Sequence, residues 1–134
     1  MNYENNYAKI DFESFPQVII AIKDHTPTEQ EFDEFLVAMK QTYANEKDRI
    51  VLFDLVNAQN VPFSLQMKFA SWSKGMEPIF EKHLKGVTFY VGNKLIKALL
   101  KSIFFLQKPT YEYQVFDKRE EVESHQSFLQ QRLL

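Results

Sequence analysis

Ile50-Val51-Leu52-Phe53-Asp54-Leu55 is an apolar run broken only at its fifth position, by a carboxylate. A strand wetted on one face alternates apolar and polar residues, whereas a strand covered on both faces reads as one continuous apolar run, as in parallel sheets. The segment is therefore predicted to be an inner strand of a parallel sheet, and the chain on either side of it has the matching pattern. Upstream, Phe32, Phe35, Leu36, Met39 and Tyr43 recur at helical spacing, and the charged turn Asn45-Glu46-Lys47-Asp48 ends that helix. Its start is read at Thr26-Pro27-Thr28-Glu29, with Thr26 as cap, Pro27 in the first turn and Glu29 completing a capping box. Downstream, the polar stretch Asn57-Ala58-Gln59-Asn60 leads to a second helix running from Pro62 or Ser64 to His83. The stripe of that helix is Phe69, Trp72, Met76, Ile79 and Phe80, and Pro78 kinks or shortens it.

Further out, residues 7–12 and 17–23 read as two short strands separated by a break at Pro16, a hairpin-like pair. Residues 87–91 form another strand. Gly92-Asn93 then opens a third helix carrying Leu95, Ile96, Leu99, Leu100, Ile103 and Phe104, which Pro109 closes. Residues 111–116 are the last strand. Asp117 caps a final helix, with Glu120 in a second capping box and Val122, Phe128, Leu129 and Leu133 on the inner face. The order β-β-α-β-α-β-α-β-α predicts an α/β fold with four helices on a five-stranded mixed sheet, mostly parallel. The crossovers should be right-handed and the first strand antiparallel at an edge. No internal repeat or linker is apparent, so residues 1–134 are read as a single domain.

Composition narrows the function classes. The 134 residues are 45% hydrophobic and include 13 Phe, enough to fill a core without covalent staples. There is no cysteine, which removes disulfides, thiolate metal sites, iron–sulfur clusters and Cys nucleophiles. A net charge of -2 gives no sign of the basic surface a nucleic-acid binder needs. Met1-Asn2-Tyr3-Glu4-Asn5-Asn6 lacks the basic region and apolar run of a signal peptide, and the apolar stretch of residues 95–106 is interrupted by Lys97 and Lys101. The expectation is a cytoplasmic protein with no transmembrane segment and no cofactor.

Candidate site residues fall in two groups. Asp54 stands where a parallel strand ends, and ligands of open α/β sheets bind beyond such ends. With Asn57, Gln59, Asn60 and Ser64 it makes a polar cluster that suits a cation or polar ligand, or an anion at the start of the second helix. The simpler reading, an Asp that caps a loop and an ordinary Asn- and Ser-rich turn, is preferred. The second group is on the third helix, where Lys94, Lys97 and Lys101 share one face and Leu99, Ile103 and Phe104 lie on a wide apolar side. A core helix with a solvated lysine face accounts for most of this, but the breadth of the apolar side calls for a cover: a neighbouring helix, an apolar ligand or a second subunit. A basic amphipathic helix also suits weak peripheral contact with an anionic membrane. His25, His83 and His125 are too far apart for helical metal-ligand spacing, and the glycines, Gly75, Gly86 and Gly92, form neither a phosphate loop nor a nucleophile elbow.

Three stretches carry a family resemblance over nearly the whole chain. Ile50-Val51-Leu52-Phe53-Asp54-Leu55 resembles a central strand ending in Asp-Leu. Val87-Thr88-Phe89-Tyr90-Val91-Gly92-Asn93 is similar to the next strand and its turn, and Tyr113-Gln114-Val115-Phe116-Asp117 with Glu120-Glu121 resembles the lead into a last helix. The family is the STAS domain of the SpoIIAA-like superfamily, related to the lipid-binding CRAL-TRIO domains. The resemblance implies a non-enzymatic regulatory or protein-interaction module, and alternatively a binder of a small apolar ligand. In phosphorylated members a Ser in an Asp-Ser-Ser-Gly-like turn follows the Asp-Leu strand. Here Asn60-Val61-Pro62-Phe63-Ser64-Leu65 keeps only Ser64, without the acidic and glycine neighbours, so phosphorylation of Ser64 is not expected. Since the phenylalanines are needed to fill the core, little room is expected for a pocket. Self-association or a protein partner at Leu99, Ile103 and Phe104 is the favoured expectation.

Overall fold

The apolar runs become strands of one sheet, and the amphipathic segments become the helices that cover it. The structure, a computed structural model, describes residues 2–134. In chain order it has β1 (Tyr3–Glu4), β2 (Ala8–Asp11), β3 (Gln17–Ile22), α1 (Glu29–Gln41), a 3-10 turn (Thr42–Asn45), β4 (Arg49–Leu55) and α2 (Phe63–His83). Then come β5 (Leu84–Val91), α3 (Lys94–Leu106), β6 (Tyr113–Phe116), α4 (Arg119–Gln130) and a closing 3-10 turn (Gln131–Leu133). The strands lie side by side in sequence order, β1-β2-β3-β4-β5-β6. The first three pair antiparallel, while β3, β4, β5 and β6 run parallel, with Ile20 opposite Phe53 and Phe53 opposite Phe89.

The sheet therefore has six strands where five were expected. The addition is β1, two residues long, which pairs Tyr3 with Ile10 and takes the edge that had been assigned to β2. A two-residue strand is too short to show any period in sequence. Two helix starts also differ. Thr28, not Thr26, caps α1: its hydroxyl accepts from the Glu31 N–H at 3.1 Å and the Glu31 carboxylate accepts from the Thr28 N–H at 2.9 Å. The expected box was two residues too early because Pro27 is buried outside the helix rather than in its first turn. At α4 the cap is Lys118 rather than Asp117, with no side-chain hydrogen bond. Pro78 lies within α2 without ending it.

Side chains alternate across the pleat. Val18, Ile20, Val51, Phe53, Val87 and Phe89 face α1, α2 and α3, whereas Thr88 faces α4. On the α4 side Gln126 is buried and fully used. It donates to the Val51 carbonyl at 3.1 Å and the Thr88 hydroxyl at 2.8 Å, and accepts from the Gln17 side chain at 2.8 Å. Phe128, expected inside, is half exposed, stacked on His125 and under Arg132.

Gly92 and Gly75 give opposite tests of this packing. A Cβ on Gly92 would stand 2.5 Å from the Val56 carbonyl oxygen, which is backbone and has little freedom to move. Gly75 is exposed within α2 and a Cβ there would meet nothing within 4 Å. Urea unfolding should show Gly92→Ala losing about 1–3 kcal/mol and Gly75→Ala gaining up to about 1 kcal/mol.

Candidate functional site

Between the sheet and α1, α2 and α3 lies a cavity of about 100 Å3. Its floor is the apolar face of β3, β4 and β5. Its roof is built from Phe35 and Met39 of α1, Phe69 and Trp72 of α2, and Leu99 and Ile103 of α3. Interiors normally pack to crystal density with few voids larger than a water. At about 24 cal/mol per Å3, an empty space of this size costs roughly 2 kcal/mol.

The polar groups at the cavity wall are few. Gln66 is satisfied: it donates to the Val61 carbonyl at 2.8 Å and accepts from the Ser102 hydroxyl at 2.9 Å, which ties α2 to α3. Gln59 pairs with Asp24 at the surface. At the end beside the start of β4 stands Arg49, which is completely buried. Its terminal nitrogens donate to the Thr42 carbonyl (2.9 Å) and hydroxyl (3.1 Å), to Asn45 Oδ1 (2.8 Å) and to the Lys47 carbonyl (3.1 Å). The Tyr43 ring lies 3.9 Å from the guanidinium carbon, with the Phe12 and Phe15 rings at 5.7 and 5.2 Å. Its Nε has no hydrogen-bond partner among the described residues. Burial raises the Tyr43 and Tyr111 pKa values far above the ordinary tyrosine value, so both are neutral phenols where they line the same cavity.

The sequence-predicted residues are distributed differently. Asp54 is half-buried on the α4 side of the sheet, away from the cavity, and its Oδ1 accepts from the Val56 N–H at 3.1 Å, a turn-capping contact. Asn57, Asn60 and Ser64 are exposed, and among the described residues no hydrogen bond joins the members of this cluster. On α3, Lys94, Lys97 and Lys101 are exposed as expected. Leu99, Ile103 and Phe104 do not form an outward surface: they are partly buried and line the cavity. The apolar residues of α3 that face outward are Leu95, 78% exposed, Phe105, 90% exposed, and Leu106, 37% exposed. The apolar side of α3 is thus wider than one neighbour can cover, and the sheet takes the half carrying Leu99 and Phe104. Arg49 went unnoticed in sequence because it follows Lys47-Asp48 and reads as the end of a solvated turn. The available signal was its place immediately before the apolar run, in phase with Val51 and Phe53.

The histidines do not assemble a reactive centre. His25 meets Glu31 at 2.8 Å at the start of α1, and His83, buried at the end of α2, meets Asp48 at 3.2 Å. Among the described residues, no three His, Asp or Glu side chains gather to hold a metal ion. His125 Nδ1 lies 2.6 Å from the Thr88 hydroxyl, but Thr88 is fully buried and out of reach of any substrate. That hydroxyl also accepts from Gln126 at 2.8 Å, which leaves it one O–H and one lone pair for His125.

No family model matches the chain, and no curated protein matches it. Among solved structures it is similar to an uncharacterised protein of the DUF3478 family, with a SpoIIAA-like fold, from Shewanella loihica PV-4. The two share 11% identity and a TM-score of 0.58, over 92% of this chain and 97% of that one. At this identity the likeness shows the fold alone: an α/β sheet of the SpoIIAA-like kind. Among the described residues no helix is long and apolar enough to cross a membrane.

Two groups set separate acid limits on stability. Burial lowers the His125 pKa below the ordinary 6.5, so the unfolded chain takes up a proton first and stability falls as the pH drops through and below 6.5. Glu31 is held at about 2 by its hydrogen bonds from Thr28 and His25, so its contribution is complete above the ordinary 4.5 and is lost as the pH falls toward 2. Urea midpoints measured across pH should show His125→Gln flattening the upper slope and Glu31→Gln the lower one, each leaving the other in place.

Proposed function

We propose that the protein is a non-enzymatic binding module that takes a small apolar ligand between its sheet and the α2–α3 roof. The observation that carries this reading is the cavity: a nearly wholly apolar space of about 100 Å3 in a core rich enough in phenylalanine to have filled it. Ligand sites usually measure several hundred Å3, so a ligand larger than a few heavy atoms needs the roof to yield. α3 is suited to that, since only Ile96 and Leu100 of its side chains are fully buried. The expectation that the core leaves little room is thereby met in volume. The ranking drawn from it is nevertheless reversed, because the residues assigned to a partner surface line the cavity instead. The absence of turnover is part of this proposal and is supported by the burial of Thr88 and the separation of the histidine pairs. Filling the space tests the reading. Val51 and Val87 face each other in register on the cavity floor. The double variant Val51→Ile, Val87→Ile should be more stable by about 0.5–2 kcal/mol and should bind 1-octanol more weakly in calorimetric titration. No gain in stability together with no octanol binding by the wild type would overturn it.

A second reading, a regulatory module of the STAS type that works by protein contact, is supported by the outer face of α3. There Leu95 and Phe105 are exposed beside Lys94, Lys97 and Lys101, a pattern that suits a partner with an acidic rim around an apolar centre. Analytical ultracentrifugation checks the homotypic form of this contact. The wild type should show concentration-dependent association that Leu95→Glu, Phe105→Glu abolishes, and a wild-type monomer at every concentration would count against self-association.

A further inference from the structure

We infer that the ligand of this cavity carries a negative charge, as a carboxylate on an apolar tail, and that Arg49 receives it. The inference rests on the ligand-binding reading and names the chemical class that the reading leaves open. Arg49 is a permanently charged group in an apolar interior, and among the described residues no carboxylate lies within ion-pair distance of it. The carboxylate nearest in sequence, Asp48, acts on the guanidinium only through space and is itself 3.2 Å from His83 and 3.8 Å from Lys85. All the acceptors that Arg49 does have are neutral: two carbonyls, a hydroxyl and an amide oxygen. A buried charge without a directly paired counter-charge is costly, and a group already desolvated and fixed in position interacts strongly with an anion that reaches it. Nε is a buried donor with no partner among the described residues, on a side chain that borders the apolar cavity without being open to it, so an anion reaches it only as the roof yields. A carboxylate accepts such charge-assisted bonds at short range, and the neutral side chains of Tyr43 and Tyr111 line the same cavity. The remainder of the lining suits a hydrocarbon tail.

Octanoate and 1-octanol differ in the head group alone, the alcohol being the more hydrophobic, so their comparison isolates the charge. Calorimetric titration of the full chain at neutral pH and low salt should show octanoate binding at least about tenfold more tightly than 1-octanol. An Arg49→Met variant should lose that preference. Arg49 also holds the 3-10 turn before β4, so this variant is informative only where its circular dichroism matches the wild type, and the wild-type comparison stands without it. Equal affinities, or a preference for the alcohol, would overturn the assignment of Arg49 while leaving the apolar-ligand reading intact. A folded Arg49→Met protein that still prefers the acid would do the same. Binding of neither compound would remove the reading itself, and this inference with it.

Discussion

From β3 onward the sheet advances in one direction, each strand laid beside the one before it in sequence and joined by a crossover helix. Crossovers between parallel strands are right-handed almost without exception. Repeated in a single direction, they must deliver α1, α2 and α3 to the same face, and the shared cavity beneath these helices shows that they do. The opposite face is left to α4, which follows the last strand and is under no crossover constraint. The two faces then meet different demands. Three helices crossing a twisted sheet leave space among them that side chains must fill, whereas one helix can be fixed by a few well-placed contacts. The cavity lies on the crowded face, and the Gln17, Val51, Thr88 and Gln126 network lies on the single-helix face.

The layer arrangement was legible because it depends on periodicity. The continuous run from Ile50 could only be an inner strand, and the alternation of such runs with helical stripes implied the parallel set. What was not legible depends on where one element meets another. The period of α3 shows that Leu95, Leu99 and Ile103 share an apolar side, but a stripe has no marked centre. Whether Leu95 or Phe104 meets the sheet is decided by the angle at which the helix is laid down. The same holds for Phe128, which yields the inside of α4 to Gln126 because the sheet below presents a hydroxyl and a carbonyl rather than an apolar surface. Composition has the converse blindness. It treats Arg49 as a surface cation, although its phase along β4 commits it to the interior.

Asp54 stands at the carboxyl end of a parallel strand, the place where ligands bind in doubly wound sheets whose helices divide between two faces and open a crevice. Here the crossovers never reverse, so no such crevice is created at that edge. The interior opening is between sheet and roof instead, and its charged group lies at the opposite end of the same strand. Arg49 serves structure as well as any ligand. Its hydrogen bonds close the turn after α1, and its guanidinium sits among rings contributed by the β2–β3 connection and that turn, so the wall of the cavity and the start of the central strand are one construction.

The strand order also bears on how the chain is made. Every strand pairs with its immediate predecessor, so each segment leaving the ribosome finds its neighbour already present, and no strand has to wait for a later one to be inserted between two others. The bonds of Gln126 run against this order, the longest of them, to Gln17, spanning 109 residues of sequence and that to Val51 spanning 75. A nascent chain can add sheet and crossover helices progressively, but until α4 emerges the Thr88 hydroxyl and the Val51 carbonyl have no partner on that face. One side chain of the last helix thus ties together three strands, β3, β4 and β5, that were laid down one after another.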